Sequence, residues 1–492
     1  MAPAHEDRIV AVRLGAAVAL FLLLVGQAQV TVLDGSSMLA VAQSIVHHGT
    51  LSVPAPLGVP GDGGLFYSKY GLLLPLLSVV PVALVQPLGL LTGRVDLLEA
   101  AGAASLMPLV AGALAGALVL LGRRLGAPPR AAALVAAGTV LGTYVLPYGR
   151  DFFTEPLVAL GVVAMVERAL AGRDAQAATA LALAILARPQ SAAFVPLLWA
   201  FVAARELAGA RARDAATRGA PAGASAGAGI GAHGATVASL RAIARTLAPL
   251  AFAAALTVAY NLVRFGDPLE FGYRPPVDPG FTTPLAVGTR GLLLSPEKSI
   301  LLFAPAIVLV PFALAALWRR ARATALLLAA LFAVTFVLAA TWHSWMGGWS
   351  WGPRLVLPGV VVVLAALGPW IGAHASRART AAALFALGYL LSLPAVIAPA
   401  GAQLLHPDPR ADGPQISRQV REVPHLTRDS LHAVGDRAAR GGDYRLYLAP
   451  WQAGISRQLG AAGVVLAAVG TIVLLAALLR VAGPLARRLR RA

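Results

Sequence analysis

The chain has 492 residues, 58% of them hydrophobic and only 13% charged, with a mean hydropathy of +0.74. A water-soluble core cannot use that much apolar surface but a bilayer can, and long Leu/Ala/Val-rich runs without alternation exclude a transmembrane barrel. The formal net charge of +18 is almost all arginine in short loops beside apolar runs, where it sets orientation and does not point to nucleic acid; with no cysteine, disulfides are excluded.

Runs of about 20 apolar residues predict spans near 9–32, 71–92, 99–121, 131–148, 154–171, 176–206, 242–263, 299–317, 323–341, 354–374, 379–400 and 458–481. The first run is too long, and the acids of MAPAHEDR are out of place, for a cleavable signal. Pro75, Pro81 and Pro87 predict a broken 71–92 segment, re-entrant or lying along the interface. The 176–206 run, with Arg188-Pro189 near its middle, reads as a hairpin of two short spans. With the N-terminus inside, this topology gathers Arg123, Arg124, Arg130, Arg168, Arg173, Arg205, Arg319, Arg320, Arg377 and the Arg487–Arg491 tail on the cytoplasmic side. If 71–92 spans and 176–206 crosses once, the first five of these fall outside. The expected fold class is an all-α polytopic membrane protein of about 11–13 transmembrane helices with outer-face juxtamembrane helices.

The transmembrane module covers 1–400, with outer loops at 33–98, 149–153, 265–298 and 342–353. Its cytoplasmic linker, 207–240, centres on an Ala/Gly-rich, low-complexity stretch with no core to bury. Residues 401–457 form an extracytoplasmic loop, and 458–492 the last transmembrane helix and a basic cytoplasmic tail. No strong internal repeat is visible, which counts against a transporter built from inverted halves.

Four outer-lip segments carry residues suited to chemistry. Asp34 stands where the chain leaves the first run; a carboxylate there can act as a general base. It can equally cap the apolar segment Met38 to Val46, unless Ser36 or Ser37 is the cap. Lys69, one of two lysines in the chain, lies in Phe66-Tyr67-Ser68-Lys69-Tyr70 and can hold a lipid phosphate as a point charge or snorkel in an aromatic belt. Arg150, Asp151 and Glu155 crowd a short stretch between apolar runs, where charge is costly and tends to be paired or functional. Trp345, Trp349 and Trp351, among glycines and ahead of Arg354, offer faces for a sugar ring or interfacial anchors. The Tyr260–Pro268 segment and Ser295-Pro296-Glu297-Lys298 are weaker candidates. No Walker lysine and no zinc pattern is present. His47-His48 points two ways on a helix, and no Asp-x-Asp follows the first span. A tightly held metal is therefore not supported.

In order and spacing, these segments resemble the GT-C superfamily of membrane glycosyltransferases, most nearly the protein O-mannosyltransferase and lipid A aminoarabinose transferase type. The resemblance covers most of 9–375. It rests on Asp34, on Lys69-Tyr-Gly-Leu-Leu-Leu-Pro75, on Arg150 to Glu155, on Ala-Arg188-Pro189, on the 260–268 segment and on Gly-Gly-x-Ser-Trp-Gly-Pro-Arg at 347–354. It implies an inverting enzyme of a bacterial cell envelope, in the inner (plasma) membrane with its site on the extracytoplasmic face. The donor would be a polyprenyl-phosphate-linked sugar and the acceptor a hydroxyl of a glycan, lipid or protein. Asp34 would be the base, Glu155 or Asp151 the second acid, and Lys69, with Arg150 and Arg354, the phosphate contacts. Tyr67 and the three tryptophans would meet sugar or acceptor. Many relatives carry two adjacent acids after the first span, whereas Gly35 follows Asp34, so a divalent metal is left open. The rival readings are a flippase or transporter of lipid-linked sugars, which calls for charges spread through mid-span positions, and a non-catalytic membrane scaffold.

Overall fold

The computed structural model describes residues 5–26, 29–30, 32–218, 232–275, 278–348, 350–397 and 450–491. The chain is a helical, multi-pass membrane protein. Among the described residues, seven helices are long and apolar enough to cross a membrane, and five shorter apolar helices accompany them. Large apolar side chains such as Leu84, Leu91, Phe252, Phe312 and Leu479 lie exposed on the outside, a surface suited to lipid and not to water.

The path of the chain separates two ends. Helix α1 (His5–Leu24) runs antiparallel to α5 (Leu106–Arg124). A side chain on Gly15 would come within 2.7 Å of the Gly112 carbonyl oxygen, so two glycines let the backbones touch. At the far end of this pair Asp7 accepts from Arg123 at 2.6 Å. The same end holds the turn between α8 (Glu155–Leu170) and α9 (Asp174–Ala187), together with α10 (Val195–Arg218) and the start of α11 (Ala232–Phe265). There Glu167 takes Arg124, and Arg168 at 3.0 Å, while Asp174 takes Arg205 at 2.9 Å. Buried carboxylates are paired with the arginines that composition assigned to orientation, as buried charge requires.

At the opposite end, α2 (Leu33–His48) packs with α3 (Leu73–Thr92) and α4 (Val95–Ala104). A two-strand hairpin, with Val59 opposite Tyr67 and Pro60 opposite Phe66, closes the loop between α2 and α3. Polar contacts knit this layer: Glu99, fully buried, accepts from Gln43 at 2.9 Å and meets His47 at 2.8 Å. His47 is thus tied to α4 through Glu99.

Two expectations change. The 71–92 segment is one continuous helix and is not broken: Pro75 falls in its first turn, and Pro81 and Pro87 are inside it, on positions not fully buried, where a lost ladder bond is tolerated. Part of the Ala-rich linker is helical, since α10 runs to Arg218 and α11 begins at Ala232; alanine is the best helix former. The 176–206 run divides at Arg188-Pro189 into α9 and α10, joined by the 3-10 turn Pro189–Phe194, as a hairpin reading requires. Most of the 401–457 loop lies outside the described residues.

The second half repeats the traverse. Helix α12 (Leu285–Leu294) and the short α13 (Ile300–Phe303) precede α14 (Val310–Trp318), and α15 (Arg322–Thr341) returns to the Asp34 end. Helices α16 (Leu357–Leu364) and α17 (Leu367–Ile371) lead away from it and α18 (Ala375–Ile397) leads back. Of the remaining helices, α6 (Pro129–Leu141) and α7 (Val145–Tyr148) link α5 to α8, and α19 (Pro450–Arg491) lies on α1 and α6, where Arg130 donates to the carbonyls of Leu489 and Arg490.

Candidate functional site

Asp34 sits in the first turn of α2, where a carboxylate faces the positive end of the helix. It does not cap: Val32 holds the N-cap position without a side-chain bond, and Ser37 instead donates to Ser68 at 2.8 Å. Neither Ser36 nor Ser37 is the cap either. Asp34 therefore keeps its side chain for other partners. A side chain on Gly35 would meet the Phe152 carbonyl oxygen at 2.8 Å. The backbone of the 149–154 loop thus occupies the place where a second, adjacent acid would need room.

Arg354 comes to Asp34 from the other half of the chain, donating from Nη1 to Oδ2 at 2.7 Å, and its guanidinium lies 5.3 Å over the Phe153 ring. Glu155, 1% exposed, accepts from Arg188 at 2.8 Å, and its Oε1 stands 3.9 Å from Arg354 Nε. Glu155 Oε2 and Arg354 Nε are buried without a hydrogen-bond partner. Burial pushes the Asp34 carboxyl up, but Arg354, the Tyr70 hydroxyl that donates to it and Arg188 outweigh burial, and the group lies below its ordinary value. Asp34 is therefore an anion held by cations. Tyr70 is pushed up by its own burial and by that anion.

Lys69 lies alongside. Its ammonium donates to Asp278 at 2.6 Å and sits 4.9 Å from the centre of the Tyr273 ring. Asp278 also meets His343 Nε2 at 3.3 Å. Tyr273, raised chiefly by burial, feels Arg188, Lys69, Asp34 and Asp278, which places the two clusters side by side. Three carboxylates (Asp34, Glu155, Asp278) face three cations (Arg354, Arg188, Lys69).

Local chemistry holds these groups in place. Arg264 is buried, lies 3.7 Å over the Tyr260 ring, binds Asn261 at 2.7 Å and donates to the Ser68 carbonyl. The Tyr260–Pro268 segment thus clamps the backbone beside Lys69. Lys298, 2% exposed, donates to Gly348 at 3.2 Å and to Ser350, fixing the loop that ends at Arg354; burial first, and then Arg354, pull it down to about 7. Gly347 has φ +71 and a side chain there would press on Arg354 Cγ at 2.8 Å, so glycine is needed twice over.

The remaining sequence candidates lie elsewhere. Arg150 donates to the carbonyls of Ala395 and Val396 at the end of α18. Asp151 is buried beside it and pushed up to about 6 by that burial. Tyr67 is buried edge-on to Phe265, and Trp351 edge-on to Phe303. Trp345 packs on Gly291, and Trp349 lies outside the described residues. Sequence reasoning missed Asp278 and His343, which no local pattern marks, and listed Arg188 without a role; an arginine interrupting an apolar run just before proline was the available signal. Among the described residues no cluster of acids and histidines is arranged to hold a metal ion.

The fold and site define a multi-pass helical membrane protein with a charge-balanced cluster of acids and cations at one end. No family model matches the chain, and no curated protein matches its sequence. Among solved structures six chains match it, and two of them are as follows. ArnT from Cupriavidus metallidurans bound to undecaprenyl phosphate is 15% identical with a TM-score of 0.42, over 100% of this chain and 73% of that one. The Archaeoglobus fulgidus oligosaccharyltransferase in the apo form is 13% identical with a TM-score of 0.44, over 84% and 61%. A likeness of this degree assigns no residue a role.

Proposed function

We propose that the chain is a glycosyltransferase that moves a sugar from a polyprenyl-phosphate donor to an acceptor hydroxyl on the extracytoplasmic face of the plasma membrane, with inversion. The observation that carries this reading is the Asp34–Arg354 pair with Glu155 and Arg188 against it: a carboxylate kept ionised beside guanidinium groups at the membrane lip. Such a set supplies both halves of the reaction. The acceptor oxygen attacks the anomeric carbon from the side opposite the lipid, and its proton passes to Asp34. The bond from that carbon to the phosphate oxygen breaks, the electron pair leaves on the polyprenyl phosphate, and Arg354 and Lys69 stabilise the departing charge. A hydroxyl that donates to Glu155 Oε2 and accepts from Arg354 Nε satisfies the two buried atoms without partners, so Glu155 is the second acid of this reading, ahead of Asp151. The sugar and the acceptor class (glycan, lipid or protein) follow from the pocket and are left to experiment.

Asp34→Asn tests the reading. It keeps size and hydrogen bonding but removes the base, and kcat for transfer from a polyprenyl-phosphate sugar should fall by about 100-fold or more with expression unchanged. Full transfer by this variant removes Asp34 from the mechanism. In the described residues, Arg123, Arg124 and Arg205 are paired with acids at the opposite end, which supports an enzyme over a flippase with charges along its path.

A further inference from the structure

We infer that Asp278 occupies on Lys69 the place of the donor phosphate, so that the isoprenoid phosphate enters by displacing a carboxylate of the protein's own. The inference rests on the donor reading above and adds a residue and an exchange to it.

The geometry separates Lys69 from Arg264 and Lys298, and Asp278, unlike Asp34 and Glu155, has no part in the proposed chemistry. Arg264 and Lys298 are buried and committed to backbone carbonyls, partners that cannot leave without unfolding the loop. Lys69 is held by a side-chain carboxylate, and the pair is part open, at 24% and 13% side-chain exposure. A side-chain carboxylate can leave the ammonium by rotating about its own bonds, with no backbone hydrogen bond broken. Asp278 oxygens and phosphate oxygens present the same chemistry to an ammonium, a compact anionic acceptor.

Asp278 also has somewhere to go. Its Oδ1 already faces His343 Nε2 at 3.3 Å. The backbone around it is tied to the end of α15: His343 N donates to Gly280 at 2.8 Å and Thr283 N to Thr341 at 3.0 Å. Released from Lys69, the carboxylate stays with His343 while the loop stays anchored. Charge balance points the same way. On Lys69 itself one anion takes the place of another, so the ammonium keeps a negatively charged partner before and after the exchange. The Lys69–Asp278 contact thus sets a threshold for anions and favours a monophosphate-linked donor.

The test measures binding of farnesyl phosphate to the full chain in nanodiscs, for the parent, Asp278→Asn, Lys69→Ala and the double variant. Asp278→Asn should bind about tenfold more tightly, because the phosphate no longer competes with an anion. Lys69→Ala should bind more weakly, and the double variant no more tightly than Lys69→Ala, because Asp278 acts through Lys69. Unchanged or weaker binding by Asp278→Asn, with Lys69→Ala still weakened, overturns the exchange and leaves the donor reading standing. Farnesyl phosphate binding indifferent to Lys69→Ala overturns both. Inorganic phosphate serves as the second arm: if it binds the parent as tightly as farnesyl phosphate and alone gains from Asp278→Asn, the site takes free phosphate and the inference falls. Thermal unfolding of each variant in the same nanodiscs checks the fold, and Asp278→Ser replaces Asp278→Asn if the latter does not fold.

Discussion

At the scale of single residues, protonation distinguishes Asp34 from Asp151. Asp34 lies below its ordinary value because Arg354, Tyr70 and Arg188 together outweigh its burial. A folded value below the unfolded one means that its ion pair stabilises the protein above the unfolded pKa and loses that contribution as pH falls through the acid range. Asp151 has the opposite sign: burial lifts it to about 6, so its contribution is present when it is protonated and is lost as pH rises through that value. With Asp34 as the base, the rate of transfer should therefore stay level as pH falls from 7 to about 5, and decline only below the ordinary carboxylate range. A pH–rate profile with its acid limb near 6 assigns the base to Asp151 instead. The sequence marked Asp34, Lys69, Glu155 and Arg354 as worth watching because charged groups are scarce in so apolar a chain. It marked Arg150 for the same reason. Only packing shows that Arg150 serves the end of α18 while Arg354 reaches Asp34, because scarcity says that a charge has a partner and not which one.

At the scale of elements, the site depends on close backbone contacts. Gly71 lies just ahead of α3, and a side chain there would run into the Ala187 carbonyl oxygen at the end of α9. This contact holds Tyr70 and Arg188 within reach of Asp34. Gly71→Ala should separate the two elements and cost about 1–3 kcal/mol, as overpacking does, with transfer lost ahead of the fold. Thermal unfolding and transfer assays on the same preparation measure both, and an alanine variant with parental stability and rate would show that the junction has slack. Helix ends were readable where a Pro followed a polar interruption, as at Arg188-Pro189. They were not readable in α3, whose prolines signalled breaks that an exposed helix face absorbs, nor in the Ala-rich linker, where low complexity and high helix propensity give opposite signals.

At the scale of the whole molecule, Arg123, Arg124, Arg168 and Arg205 with their acids lie at one end and the Asp34 cluster at the other. The chain has no cysteine, so single introduced thiols report sidedness against a silent background. In right-side-out membrane preparations, a membrane-impermeant maleimide should label Asp62→Cys, in the exposed turn beside the hairpin, and should leave Arg320→Cys unlabelled until the membrane is opened. The reverse pattern inverts the orientation and places the site in the cytoplasm.

Composition and apolar run length by themselves determined a polytopic helical membrane protein, and charge scarcity marked its lip residues, because both are properties of the chain that burial in lipid constrains wherever they occur. Which acid meets which cation was decided only in three dimensions. Asp34 and Arg354 belong to opposite halves of the sequence, as do Lys69 and Asp278, and no local period or spacing encodes a contact made by helices returning to the same face of the bilayer.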